Sequence, residues 1–169
     1  MKLIASVDSN WGLGCGGSLL FRIPDDLKRF RALTTGNVVV MGRKTLESLP
    51  NGPLPSRENI VLTREGGAGI PGAHTCGTLE ELWKILRNPA FAGKETFVNG
   101  GAQIYALLLP YCEEALITHV RACREADCLL PALSQFEDWA LADISPWQEY
   151  EGLCYAYATY VNLHPLPSG

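Results

Sequence analysis

Val38-Val39-Val40-Met41-Gly42-Arg43-Lys44-Thr45 reads as an unbroken apolar run of strand length, then a glycine, then a helix start carrying two cations and a hydroxyl. Strands buried on both faces lose the alternation of half-buried ones, and such strands belong to parallel sheets. The same grammar recurs outward from this stretch. Leu3–Val7, Asn37–Met41, Asn59–Thr63 and Thr96–Asn99 are compact apolar runs, separated by helical patterns over Asp25–Leu33, Lys44–Leu49 and Leu79–Leu86. A further helical pattern spans Ala102–Leu109 and is closed by Pro110, while Thr78 and Glu81 form a capping box ahead of Leu79–Leu86. Beyond Pro110 the pattern changes. Ala115–Val120, Trp139–Ile144 and Tyr155–Val161 are strand-like with no convincing helix between them, which predicts antiparallel additions at one sheet edge. The fold class expected is therefore α/β: one domain over residues 1–163, with a mixed, mostly parallel central sheet and antiparallel C-terminal strands. About four helices flank it in three α/β/α layers. Leu163–Gly169, with two prolines, reads as a frayed tail.

At 169 residues and 47% hydrophobic content, the chain suits one well-buried core. A net charge of −4 argues against nucleic acid as the main partner. No apolar run reaches the length of a membrane span, and Lys2–Val7 enters a strand directly, so a cytoplasmic protein without a membrane partner is expected. With no leftover apolar helix face, a monomer is expected too. The six cysteines show no C-x-x-C pairing and read as reduced, mostly packing residues. His74, His119 and His164 form no spaced cluster with them, so no metal is expected, and His119 reads as a strand histidine.

Phe21-Arg22-Ile23-Pro24-Asp25-Asp26-Leu27-Lys28-Arg29-Phe30 carries the chemistry. Pro24 suits a first helical turn, and acids behind it suit the positive end of the helix dipole. At about 100° per residue, Asp26, Leu27, Phe30 and Leu33 share one face, whereas Asp25 lies beside Lys28 and Arg29 on the wet side. Asp26 then either caps the helix or is a carboxylate of raised pKa, placed to meet a cationic or proton-accepting ligand.

Gly12-Leu13-Gly14-Cys15-Gly16-Gly17 matches the spacing of a dinucleotide fingerprint, but Ser18–Ile23 runs straight into Pro24 with no room for the helix which that motif requires. Trp11–Leu20 reads better as a mobile, glycine-hinged loop beside Asp26. Two other turns do have the right context: Met41-Gly42-Arg43-Lys44-Thr45 and Asn99-Gly100-Gly101-Ala102-Gln103-Ile104-Tyr105. Each offers free backbone N–H groups at a helix N-terminus, which is how a chain grips phosphate, although strand–glycine–helix is also plain turn chemistry. Together they suggest two grips on a dinucleotide. Thr63-Arg64, after Leu62, adds a hydroxyl and a cation that favour NADPH over NADH.

This ordered set of motifs resembles dihydrofolate reductase over almost the whole chain: Ile23-Pro24-x-Asp26-Leu27-x-x-Phe30, Met41-Gly42-Arg43-x-Thr45, Leu54-Pro55-x-Arg57, Gly100-Gly101-x-x-x-Tyr105 and Thr118. The resemblance implies NADPH-dependent reduction of 7,8-dihydrofolate, supporting one-carbon metabolism and thymidylate synthesis. It implies that Asp26, with Thr118 alongside, binds the 2-amino and N3 side of the pterin and assists protonation at N5, with Phe21 and Leu19 close to the chemistry. Ile4, Ala5, Ser6, Leu27, Phe30, Leu49, Leu54 and Asn99 would line the substrate pocket, and Arg57 would hold the glutamate α-carboxylate. NADPH would be held by Ser6, Leu13, Gly14, Gly42, Arg43, Lys44, Thr45, Leu62, Thr63, Arg64, Asn99, Gly100, Gly101, Ala102, Gln103, Ile104 and Tyr105.

Two readings compete with this one. A reductase of the riboflavin-pathway type shares the architecture but lacks the Pro24-x-Asp26 carboxylate, and an idle nucleotide-binding module has no reason to keep Asp26 on an apolar face. The chain also departs from the family pattern: Phe21 stands where many members have Trp, Asn99 where Ile or Val is usual, and Ser6 where Ala is common. A polar amide at Asn99 bears on antifolate binding more than on turnover. Asn99→Ile is expected to tighten diaminopyrimidine inhibitors, and an inhibition titration that finds their affinity unchanged would overturn this.

Overall fold

The computed structural model describes residues 1–65 and 69–169. Its main sheet uses β1 (Lys2–Val7), β4 (Val38–Gly42), β5 (Glu58–Leu62), β6 (Ala73–Cys76), β7 (Thr96–Val98) and β8 (Glu114–Val120). To these it adds β10 (Trp139–Ile144), β11 (Gln148–Tyr150) and β12 (Leu153–Asn162). The order is β10-β12-β8-β1-β7-β4-β5-β6, with β11 paired to β12. All neighbours from β8 to β6 run parallel, whereas β12 joins β8 antiparallel and β10 and β11 join β12 likewise. The mixed sheet expected from sequence is thus present, with one correction. Ala115–Val120 is not an antiparallel addition but a parallel partner of β1, and only its other edge takes an antiparallel neighbour. Edge strand β6 was invisible because Ala73-His74-Thr75-Cys76 carries no apolar run.

Successive strand residues face opposite sides, and the two sides hold two separate cores. Val38, Val40, Ile60, Leu62, Val98, Leu3 and Ile117 pack with Leu82, Trp83 and Leu108, from α3 (Leu79–Leu86) and α4 (Ala102–Leu108). Val39, Met41, Val61, Phe97, Ile4 and Leu116 pack on the opposite face, with Leu46, Phe30 and Leu33 from α2 (Arg43–Ser48) and α1 (Pro24–Thr34). Helices on both faces are what let β4 be apolar at every position. At the head of α3, Glu81 N donates to Thr78 Oγ1 at 3.2 Å, but the Glu81 carboxylate reaches Gly77 N rather than that of Thr78.

Trp11–Leu20, expected as a mobile, glycine-hinged loop, carries β2 (Gly12–Cys15) and β3 (Ser18–Leu19), which form a small sheet with β9 (Cys128–Leu129). Leu163–Gly169 is docked rather than frayed. Leu163 N donates to Asp138 O, Leu166 N to Pro110 O, and Arg87 to Gly169 O. Leu82 is fully buried in the α3-side core, so Leu82→Ala is expected to cost about 3 kcal/mol. Thermal denaturation should show this as a fall in Tm of roughly 6–12 °C.

Candidate active site

Helix α1 begins without a side-chain cap, so Asp26 is not spent on its own N-terminus. Instead the Thr118 hydroxyl, nearly buried on β8, donates to Asp26 Oδ1 at 2.5 Å across 92 residues of sequence. Burial pushes the Asp26 carboxyl above its ordinary value, against the pull of the Thr118 hydrogen bond and the Arg29 charge. Of the two readings of Asp26, the capping one is set aside.

The β1–β8 register brings further expected residues to this point. Ile4, Ala5 and Ser6 lie opposite Leu116, Ile117 and Thr118, so Ser6 shares a face with the hydroxyl that grips Asp26. Phe30, Leu49 and Leu54 are partly buried against Ile4, Met41 and Leu116, while Leu27, three residues before Phe30 on α1, is 41% exposed. Arg57 donates from Nε to Pro55 O at 2.9 Å and from Nη1 to Thr34 Oγ1 at 3.2 Å. Burial, and to a lesser extent the Arg31 charge, lower its pKa, which an anion bound there would offset. Sequence reading missed Arg31, Thr34 and Asn59. Buried Asn59 accepts from Leu54 N and donates to Leu54 O and Arg57 O, clamping the Leu54–Arg57 segment. An asparagine inside an apolar strand pattern was the available signal.

The two glycine turns meet. Gly42 N donates to Gly100 O at 2.8 Å, and the peptide between Gly100 and Gly101 is cis. Gly100 has a φ of 113°, which a side chain rarely adopts. A Cβ on Gly42 would come within 3.0 Å of Ile104, and one on Gly101 would lie 3.5 Å from Thr45 Oγ1. Helices α2 and α4 start there with no side-chain cap, whereas α3 is capped by Thr78. Bare N–H groups at two adjoining helix starts fit a pyrophosphate. Tyr105, buried, fixes this corner to β1 by donating to Ile4 O at 2.6 Å. Lys44, Ala102 and Gln103 lie in the same two helix starts. Beyond them, Thr63, Thr75, Gly77 and Lys84 line a cavity of about 370 Å³, a second cationic contribution that sequence reading missed in Lys84. Arg64, next to Thr63 in sequence, is exposed, and Arg43 is held by Glu47 at 3.0 Å and Glu65 at 2.6 Å.

The glycine-rich segment is tied down by two aspartates. Buried Asp8 accepts from Asn10 N, Gly12 N and Arg124 N. Asp127 accepts from Gly16 N and donates its own N–H to Gly14 O. Gly14 is obligatory because a Cβ would meet Ser18 O at 2.6 Å. Leu13 packs against the α3-side core, while Leu19 is 55% exposed on β3. Phe21 is buried with Leu20, Ile23, Val120 and Tyr155, under the Arg124 guanidinium 4.4 Å from its ring centroid. Asn99 is half-buried, its N–H given to Val40 O at the end of β7. His119 is a strand histidine as expected, 2.8 Å from Tyr160 Oη, with its pKa lowered by burial. All six cysteines are free.

A family model described as dihydrofolate reductase matches residues 1–162. The chain is 35% identical over 170 residues to dihydrofolate reductase of Neisseria meningitidis serogroup A, covering 95% of this chain and 97% of that one. It is 40% identical over 154 residues to dihydrofolate reductase of Mycobacterium tuberculosis, covering 88% and 89%. Among solved structures, dihydrofolate reductase from Enterococcus faecalis complexed with NADP(H) and RAB-propyl aligns with a TM-score of 0.83 at 27% identity, over 95% of each chain. The carboxylate–threonine pair beside two adjoining glycine turns therefore stands in a chain that belongs to the dihydrofolate reductase family.

Proposed function

We infer that the protein catalyses NADPH-dependent reduction of 7,8-dihydrofolate to 5,6,7,8-tetrahydrofolate. The observation that carries this reading is the Thr118–Asp26 hydrogen bond, on a helix and sheet face that also carries partly buried Phe30, Leu49 and Leu54. NADPH, when bound, supplies the hydride that reaches C6. The N–H groups at the starts of α2 and α4 suit its pyrophosphate, with Gly42, Gly100 and Gly101 leaving room for close approach. Arg43, Thr63, Arg64 and Lys84 suit the adenosine end.

Asp26 and Thr118 orient the pterin through its 2-amino and N3 side. An ionised Asp26, only partly screened by water, places negative charge beside the pterin, which favours a protonated ring at the moment N5 must gain a proton from solution. Leu27, Phe30, Leu49 and Leu54 exclude water around the rings, and Arg57, with Arg31 nearby, receives the glutamate carboxylate. The riboflavin-type and binding-module alternatives leave Asp26 and Arg57 without a task.

Loss of NADPH absorbance with dihydrofolate tests the reading. Asp26→Asn is expected to lower turnover at least about 100-fold at neutral pH, with partial recovery as pH falls and solution protonates the substrate. Dihydrofolate reduction absent from the parent would overturn the assignment. The same substitution has a stability signature. Because the folded carboxyl is raised, its contribution to stability is complete below the unfolded carboxyl range and is lost as pH rises through the raised value. Asp26→Asn is thus expected to stabilise the fold by about 1 kcal/mol near neutral pH, with the gap closing toward about pH 4 in thermal melts. Arg57→Leu should raise KM for dihydrofolate roughly 10- to 100-fold and leave NADPH binding in place.

A further inference from the structure

Arg29 follows Asp26 by three positions and stands one turn along α1, half-buried. It is not the partner of Asp25 that its spacing predicts, since Lys28 takes that carboxylate at 3.8 Å. Among the described residues Arg29 makes no ion pair within 4.0 Å, although Asp26 is close enough for each charge to shift the other. Its guanidinium lies instead 4.2 Å from the centroid of the Tyr157 ring. Tyr157 is the register partner of Thr118 on β12, and Thr118 grips Asp26 Oδ1. Helix and sheet thus enclose Asp26 between a hydroxyl and a cation held on an aromatic face.

A guanidinium withdrawn from water one turn from a carboxylate has a strong electrostatic reason to fold onto it in a bidentate pair. Such a pair would occupy Asp26 Oδ2, which a pterin must reach. We propose that Tyr157 is a positioning residue for dihydrofolate reduction: its ring holds the Arg29 cation beside Asp26 without contact, so that the charge acts across space while the carboxylate stays free for substrate. The proposal rests on the dihydrofolate reading above. The titratable groups around Asp26 are Asp25, Lys28 and Arg29 on its own helix and Tyr155 and Tyr157 on β12, while β8 presents the hydroxyl of Thr118 and β1 that of Ser6. Arg29 is the cation among them not already paired with a carboxylate. Its effect has a definite sign, since a nearby positive charge favours ionised Asp26 and opposes the burial that raises the carboxyl.

Steady-state kinetics across pH, together with carbon-13 NMR titration of the Asp26 carboxyl, test this on Tyr157→Leu, Tyr157→Phe, Arg29→Met and the double variant Arg29→Met/Tyr157→Leu. Tyr157→Leu removes the ring and should raise KM for dihydrofolate about tenfold, with a lower Asp26 titration midpoint. Tyr157→Phe keeps the ring and should rescue both. Arg29→Met should move the Asp26 midpoint and the pH limb of turnover upward by about one unit. In the double variant KM should fall back toward the parent, because no cation remains to block Oδ2. A KM penalty that persists in the double variant makes Tyr157 a packing residue and overturns the proposal, as does an Asp26 midpoint indifferent to Arg29→Met. Absence of dihydrofolate reduction in the parent would defeat the reaction assignment instead, and the NMR titrations would still decide whether Tyr157 keeps Arg29 off Asp26.

Discussion

A carboxylate removed from water must find partners, and Asp26 finds one in a buried strand hydroxyl rather than in its own helix. That requirement organises much of the molecule. Thr118 can reach Asp26 only if β8 runs beside β1 and α1 lies across the face of the sheet that carries Ser6 and Thr118. The same face carries Ile4 and Leu116, so the apolar packing beside Asp26 and the hydroxyl that grips it are set by one alternation along two strands. Ionised Asp26 is an expense for the fold at neutral pH. It is tolerated because the hydroxyl and the Arg29 charge offset part of the desolvation.

Backbone groups left unsatisfied tell a similar story at the two glycine turns. The chain can cap a helix when nothing else is needed there, as Thr78 does for α3. It leaves α2 and α4 bare where they adjoin, and puts glycine at Gly42, Gly100 and Gly101 so that no Cβ obstructs their N–H groups. Tyr105 then ties this corner to Ile4, which links the two glycine turns to the strand that also carries Ser6. Asn59 does comparable work for Leu54 and Arg57, and Asp8 and Asp127 for the glycine-rich segment. These are buried or loop-held polar groups with several partners each, and removing one would strand its partners.

Much of this was legible in the residues. The unbroken apolar run of Val38–Met41 announced a parallel strand covered on both faces, and Thr78 with Glu81 announced the start of α3, because both signals are local in sequence. The position of Asp26 on an apolar face was legible for the same reason. The small sheet of β2, β3 and β9 was not, since its strands are very short and β9 joins β2 across more than a hundred residues through backbone groups that any side chain could carry.

By itself the sequence determined the alternation of strands and helices, the family, and the glycines and acid that the chemistry needs, because periodicity, turn chemistry and motif order are written in neighbouring residues. Only the tertiary structure decided between the two readings of Asp26 by placing the Thr118 hydroxyl on it, that Arg29 leans on Tyr157 instead of Asp25, and that Leu163–Gly169 docks. Each of those choices is a competition between partners far apart along the chain, settled by which groups the sheet register brings within hydrogen-bonding or van der Waals reach.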